Sequence, residues 1–254
     1  MTKINVLDKG YVALIDSMGD DLSSVNAARA SYDKSSDEFS GRDQKLLNFL
    51  VREKHMSVFR HATLTFEVYA PLMVARQWFK YAVASAHLED QQGWNESSRR
   101  YITEEPAFYL PKAGEWRSKP ENSKQGSGEP LAEMDPVEWG AWRYNGYDLD
   151  IHNEDAESFG NFWTDELEEH IRKSEDLYES AMANGICAEQ ARLFLPAYGM
   201  YVRWRWPTSL ATVLHFLGER LEHDAQKEIQ DYAKAVLELT ETKFPRTCEA
   251  VGLA

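Results

Sequence analysis

Two stretches of alternation, each leading directly into a helical pattern, set the strongest constraint on how this chain folds. Ala62 to Tyr69, ATLTFEVY, puts Leu64, Phe66 and Val68 on one side and Thr63, Thr65, Glu67 and Tyr69 on the other. That period of two marks a half-buried strand. Pro71 then opens a segment in which Leu72, Ala75, Trp78, Phe79 and Ala82 recur at threes and fours, which predicts a helix from about Pro71 to Ala86 with Gln77, Lys80 and Tyr81 together on its other side. Farther on, YGMYVRWRW alternates Tyr198, Met200, Val202, Trp204 and Trp206 against Tyr201, Arg203 and Arg205. It reads as a second strand, and Pro207-Thr208-Ser209 caps a helix carrying His215 and Arg220.

The remaining elements follow the same two periods. Tyr11 to Ile15 is a short apolar run read as a strand, followed by a helix through Ala30 and a polar loop to Ser40. Arg42 to Lys54 carries a stripe of Leu46, Leu47, Phe49, Leu50 and Val51 and ends near His55-Met56-Ser57, which predicts an amphipathic helix. Trp163 to Asn184, with Leu167, Ile171, Leu177 and Met182 inward, is expected to end at a capping Gly185. Ala188 to Leu195 is a short helix stopped by Pro196, and His223 to Lys243 a final helix with Ala225, Ile229, Tyr232, Val236 and Leu239 at core spacing. Between them, Thr103 to Asn161 is rich in Pro, Gly, Ser, Asn and acidic residues and reads as a long surface excursion from a single domain spanning 1–254.

Composition removes several classes of function. The 254 residues, 43% hydrophobic and 12% aromatic, can bury a sizeable core. A formal net charge of −14 opposes sequence-independent duplex binding, so an anionic ligand must be met by a local cluster of arginines. Cys187 and Cys248 stand far apart with no ligand spacing around them, which suggests neither a zinc site nor a disulfide framework. The first residues lack a basic head and apolar run, and no stretch approaches the roughly 18 apolar residues of a membrane span; the expectation is a soluble, cytoplasmic protein.

Asn95-Glu96-Ser97-Ser98-Arg99-Arg100-Tyr101 packs an amide, a carboxylate, two hydroxyls and two guanidiniums into one short segment. That density suits a nucleotide monophosphate, although the same residues also make good turn and capping chemistry. Arg192 in EQARLFLP and Arg220 in LGERLEHD sit in apolar helical contexts, where burial demands a fixed anionic partner, either a ligand or an internal carboxylate. His55, His61 and His215 read first as packing residues. There is no glycine-rich dinucleotide turn, Walker loop or nucleophile elbow, and neither cysteine has a neighbouring base.

Taken together, HMSVFRH with its following strand, APLMVARQW, NESSRRY, EQARLFLP and the Arg220 helix running into AQKEIQDYA resemble the flavin-dependent thymidylate synthases. The resemblance runs from about Leu46 to the C-terminus apart from the excursion. It implies an α+β fold, with a central, mainly antiparallel sheet flanked by long helices. It also implies reductive methylation of dUMP to dTMP, with methylenetetrahydrofolate as carbon donor and FAD, reduced by NADPH, as hydride source. By the same resemblance Gln77, Glu96, Ser98, Arg99, Arg100, Arg192 and Arg220 correspond to dUMP-binding positions, with Arg220 and Ser98 closest to catalysis. Ser57, Arg60, Lys80, Tyr81, Asn95, Tyr101, Ser209 and His215 correspond to the FAD side. Where the family's commonest form has Arg-His-Arg, this chain has Lys80-Tyr81-Ala82, with AHLEDQQGW as extra length before Asn95; Ala211 and Asp224 replace an arginine and a histidine. The implied assembly is a homotetramer whose active sites draw on more than one subunit. Two other readings stay open: a related flavin-dependent pyrimidine nucleotide hydroxymethylase, and a non-catalytic nucleotide-binding homologue.

Overall fold

A computed structural model of the chain describes residues 2–84, 94–97, 105–120, 126–130, 143–144, 147–148 and 156–253. In chain order the strands and helices are β1 (Thr2–Val6), β2 (Gly10–Met18), α1 (Asp21–Arg29), α2 (Gly41–Arg52), β3 (Thr63–Pro71), α3 (Leu72–Ala84), β4 (Asn95–Glu96), β5 (Arg143–Tyr144), β6 (Tyr147–Asp148), α4 (Ala156–Ala183), α5 (Ala188–Ala191), β7 (Tyr201–Ser209), α6 (Leu210–Arg220), α7 (Lys227–Glu241) and α8 (Pro245–Ala250). They divide into two compact units, Met1–Glu104 with Tyr201–Ala254, and Glu105–Met200.

The first unit is built on a five-stranded sheet in the order β1-β2-β3-β7-β4, antiparallel at every pairing. The expected fold class is thus observed. The two alternating stretches pair with each other, Phe66 opposite Trp206 and Val68 opposite Trp204. Their inward side chains are the floor of the core, fully or almost fully buried. On that floor sits Trp78 of α3, whose ring lies 4.4 Å from Phe216 of α6 and 5.4 Å from both Trp204 and Trp206. Burying aromatics of this size supplies much of the apolar driving force for docking α3 and α6 on the sheet.

At the start of β2 a glycine is required by close approach. A Cβ on Gly10 would meet the Tyr232 hydroxyl at 1.8 Å and the Tyr69 carbonyl at 2.7 Å. That hydroxyl donates to the same carbonyl at 2.8 Å, which ties α7 to β3.

The second unit holds α4, α5 and a small apolar cluster of Phe108, Ile171 and Leu195, with Leu167 packed against it. Gly185 caps α4 as expected, with φ of +83° and its N–H on the Met182 carbonyl at 3.0 Å. The unit reaches well past the excursion read from composition, through Met200.

Several expected core positions face outward instead. Phe79 is 42% exposed, because the buried face of α3 runs through Val74, Ala75, Trp78 and Tyr81 and the next residue round the helix is turned by about 100°. Leu177 and Met182 of α4 are exposed, as is Tyr198, since the last strand begins only at Tyr201. The final helix starts at Lys227 and not His223. α8 and β1 have no counterpart in the sequence reading. The residues of β1 are mostly exposed, so no apolar alternation announces them.

Candidate functional site

Gln77 and Tyr81 lie one helical turn apart on α3, and that spacing brings both to the end of α6. Arg220 Nε donates to the Tyr81 hydroxyl oxygen at 2.7 Å and Arg220 Nη1 to Gln77 Oε1 at 3.4 Å. Gln77 Nε2 in turn donates to Gln226 Oε1, and Gln226 Nε2 to Oε2 of the buried Glu228 at 2.8 Å. Gln226 is held against the helix pair by a further contact of its Nε2 with Met73 Sδ, 3.6 Å away. Arg220 therefore has two neutral acceptors and, among the described residues, no carboxylate within ion-pair distance. A half-buried guanidinium oriented but not neutralised is a site for an anion or a polarisable carbonyl.

Tyr81 is 6% exposed and not on the polar side of α3 as its sequence position suggests. Its ring meets Phe216 at 5.2 Å and His215 at 5.6 Å, and the Arg220 guanidinium carbon lies 5.5 Å from its centroid. Burial pushes the phenol up from its ordinary value by more than the Arg220 charge pulls it down. It is a neutral phenol at physiological pH and accepts the Arg220 hydrogen bond without forming an ion pair.

The residues expected around this corner are distributed as follows. His215 is exposed on α6, next to Tyr81, and Lys80 is exposed on α3. Ser209 is almost completely buried, and its hydroxyl accepts from the Thr212 N–H at 3.3 Å, so it caps α6 as the sequence suggested. Arg60, in the 3₁₀ turn Met56–His61, has a buried Nε with no hydrogen-bond partner among the described residues, while Ser57 in the same turn is exposed. Asn95 and Glu96 form β4, exposed beside β7, opposite Arg205 and Trp204. Trp94, whose ring stacks on Trp204 at 4.7 Å, donates from Nε1 to Glu96 Oε2 at 3.2 Å. Ser98, Arg99, Arg100 and Tyr101 lie outside the described residues.

Arg192 belongs to the second unit. The sequence set it in an apolar helical context, but α5 lasts only through Ala191 and tightens to a 3₁₀ turn at Arg192–Phe194. Only Ala191 and Leu195 turn inward; Arg192, Leu193 and Phe194 are exposed. Arg192 Nε donates to the Glu189 carbonyl at 3.2 Å, and no carboxylate pairs with it among the described residues. Gln226 and Glu228 were not singled out as site residues. The signal that could have found them is a carboxylate next to Ile229 in the first turn of α7, a position the core spacing carries inward.

Cys248 is buried, and burial pushes its thiol up to about 12, with Glu241 and Asp21 adding to the shift. It is protonated at neutral pH and inert as a nucleophile. Cys187 is exposed at the start of α5.

Comparison with known proteins bears on this geometry. Residues 13–246 match the family described as thymidylate synthase complementing protein. A flavin-dependent thymidylate synthase of Thermotoga neapolitana is 32% identical over 98% of this chain and 93% of its own length. One from Thermus thermophilus is 32% identical over 95% of this chain and 75% of its own. The crystal structure of a UMP/dUMP methylase from Streptomyces cacaoi bound with 5-Br dUMP superposes with a TM-score of 0.74, at 24% identity, covering 98% of this chain and 97% of that one, and at that identity it speaks for the fold.

Proposed function

The chain belongs to the thymidylate synthase complementing family of flavin-dependent thymidylate synthases, and from that premise we propose how its residues carry out the reaction. The enzyme is a methyltransferase that converts dUMP to dTMP with a flavin cofactor. The observation that carries the assignment of its centre is Arg220, held by Tyr81 and Gln77 with no carboxylate paired to it among the described residues. Set against the pyrimidine carbonyls, this guanidinium stabilises enolate character on the carbonyl oxygen, the electron-rich form of the ring in which C5 is nucleophilic. Gln77, whose amide is already ordered, supplies a directional contact to the base. No cysteine nucleophile is needed, in keeping with the buried, protonated Cys248.

Glu96, Ser98, Arg99, Arg100 and Arg192 complete the nucleotide site, the arginines and the Ser98 hydroxyl gripping the phosphate. Leu177, Met182, Ile186, Leu193, Phe194 and Tyr198 are exposed large apolar residues. Such exposure supports assembly with further copies of the chain, as a homotetramer whose sites draw on neighbouring subunits.

The described residues fit FAD. The orphaned Nε of Arg60 is a donor awaiting an acceptor, and the exposed His215 beside Tyr81 offers a flat wall. Ser57, Lys80, Asn95, Tyr101 and Ser209 complete the proposed set, Ser209 through its place at the N-terminus of α6. When bound, FAD supplies the hydride that completes the methyl group; methylenetetrahydrofolate is the carbon donor and NADPH the reductant. No helix among the described residues is long and apolar enough to cross a membrane.

Incubating the purified protein with dUMP, methylenetetrahydrofolate, NADPH and FAD under low oxygen, with chromatography of the nucleotides, tests the assignment. The expected product is dTMP. Accumulation of hydroxymethyl-dUMP, or no conversion by a yellow, flavin-loaded protein, overturns it.

A further inference from the structure

Beyond the groups that touch substrate, Arg220 ends a hydrogen-bond chain that continues through Gln77 and Gln226 to Glu228. A primary amide can face either way, since it carries an acceptor oxygen at one corner and two donor hydrogens at the other. Two amides in series therefore have no direction of their own. Here both ends impose one: a guanidinium only donates and a carboxylate only accepts. Glu228 takes the N–H of Gln226, so Gln226 turns its oxygen to Gln77, and Gln77 turns its oxygen to Arg220. Glu228 is 4% exposed, within the first turn of α7.

We propose that Gln226 and Glu228 are positioning residues for Arg220, and that the acceptor oxygen at position 228 anchors the far end of the amide chain, so that the guanidinium is oriented by a neutral oxygen while its charge stays free for the substrate. A carboxylate placed directly on Arg220 would orient it equally well but would also neutralise it, as ion pairs do elsewhere in this chain. Two interposed amides separate these effects. If the chain is reversed, the Gln77 amide hydrogens face the guanidinium hydrogens. A buried donor then loses its acceptor, and the guanidinium swings away. The inference rests on the reading of Arg220 as the group that meets the pyrimidine of dUMP.

The test compares two substitutions of the same length in the flavin-loaded, full-length protein. Glu228→Gln keeps an acceptor oxygen for Gln226, whereas Glu228→Met keeps the volume and has none. Calorimetric titration with dUMP should give an affinity for Glu228→Gln within about 3-fold of the wild type, and one for Glu228→Met weaker by about 10-fold or more. The same split should appear in KM for dUMP, with the flavin spectrum unchanged. If Glu228→Met does not fold, Gln226→Met, at a half-exposed position, carries the same expectation. Equal dUMP affinity in the Met and Gln variants of position 228, or wild-type affinity in Gln226→Met, overturns the inference and leaves the role of Arg220 standing. A wild-type protein that binds no dUMP overturns both.

Discussion

Arg220 and Arg29 are both half-buried in the same unit, and the sequence around them does not distinguish their uses. Arg29, in the last turn of α1, meets Oδ1 of the fully buried Asp43 at 2.5 Å, and the other Asp43 oxygen accepts from the Ser40 N–H at 2.7 Å. Burial alone would raise the Asp43 carboxyl, but the Ser40 hydrogen bonds and the Arg29 charge together outweigh it and hold it below the usual carboxylate range. That corner is closed electrostatically: the guanidinium and the carboxylate meet within the chain, joining α1 to α2. The Arg220 corner has equally directed geometry but, among the described residues, only neutral acceptors. Shielding a cation from water is costly unless an anion accompanies it, so the corner that lacks one among the described residues is the corner suited to a ligand.

This contrast can be broken most sharply at Arg220. Arg220→Ala should lower kcat by about 100- to 1,000-fold while the protein folds and keeps its flavin; turnover within a few-fold of wild type would show that the uncompensated charge is not used. Tyr81→Phe removes one acceptor and keeps the ring. The expectation is roughly a 10-fold loss in kcat/KM for dUMP with Tm unchanged, and a loss of Tm without loss of activity would make Tyr81 a packing residue only.

At the closed corner the pattern should invert. Asp43→Asn should cost about 1–2 kcal/mol of stability, seen as a lower Tm, with kcat and KM of the remaining folded enzyme unchanged. Because the native Asp43 carboxyl is depressed, its contribution is complete above the unfolded value of about 3.9. It is lost as pH falls from there through the lower native value. The acid limb of the stability curve below about pH 4 should therefore be shallower in Asp43→Asn than in the wild type. The smallest effect belongs to the cysteines: Cys187→Ala and Cys248→Ala should each leave turnover per folded enzyme within about 2-fold of wild type. Loss of turnover in a folded variant of either would refute a cysteine-independent reaction.

The sheet and its helices were legible wherever burial repeats along the chain. Leu64, Phe66 and Val68, then Trp204 and Trp206, alternate because one side of each strand is core, and Ser209 and Gly185 announce helix ends through local hydrogen bonding and φ. What local pattern misjudged lies at the margins of burial: Phe79, Leu177 and Met182 are apolar at helical spacing, yet each sits just off the face that its neighbours cover. Spacing is shared by a core residue and by an exposed one a fraction of a turn away.

Within the candidate site, Gln77 and Arg220 could be named from motif resemblance, but their relation could not. Arg220 is 139 residues from Tyr81 and 143 from Gln77, and Gln77 is 149 from Gln226. The sequence by itself determined the periods, the caps, the family and the arginines at hand. Only the tertiary structure decided which arginine meets a carboxylate and which, among the described residues, meets only neutral acceptors, because an ion pair or hydrogen bond depends on a separation of about 3 Å between side chains, and chain distance carries no information about that separation until the sheet has brought α3, α6 and α7 together.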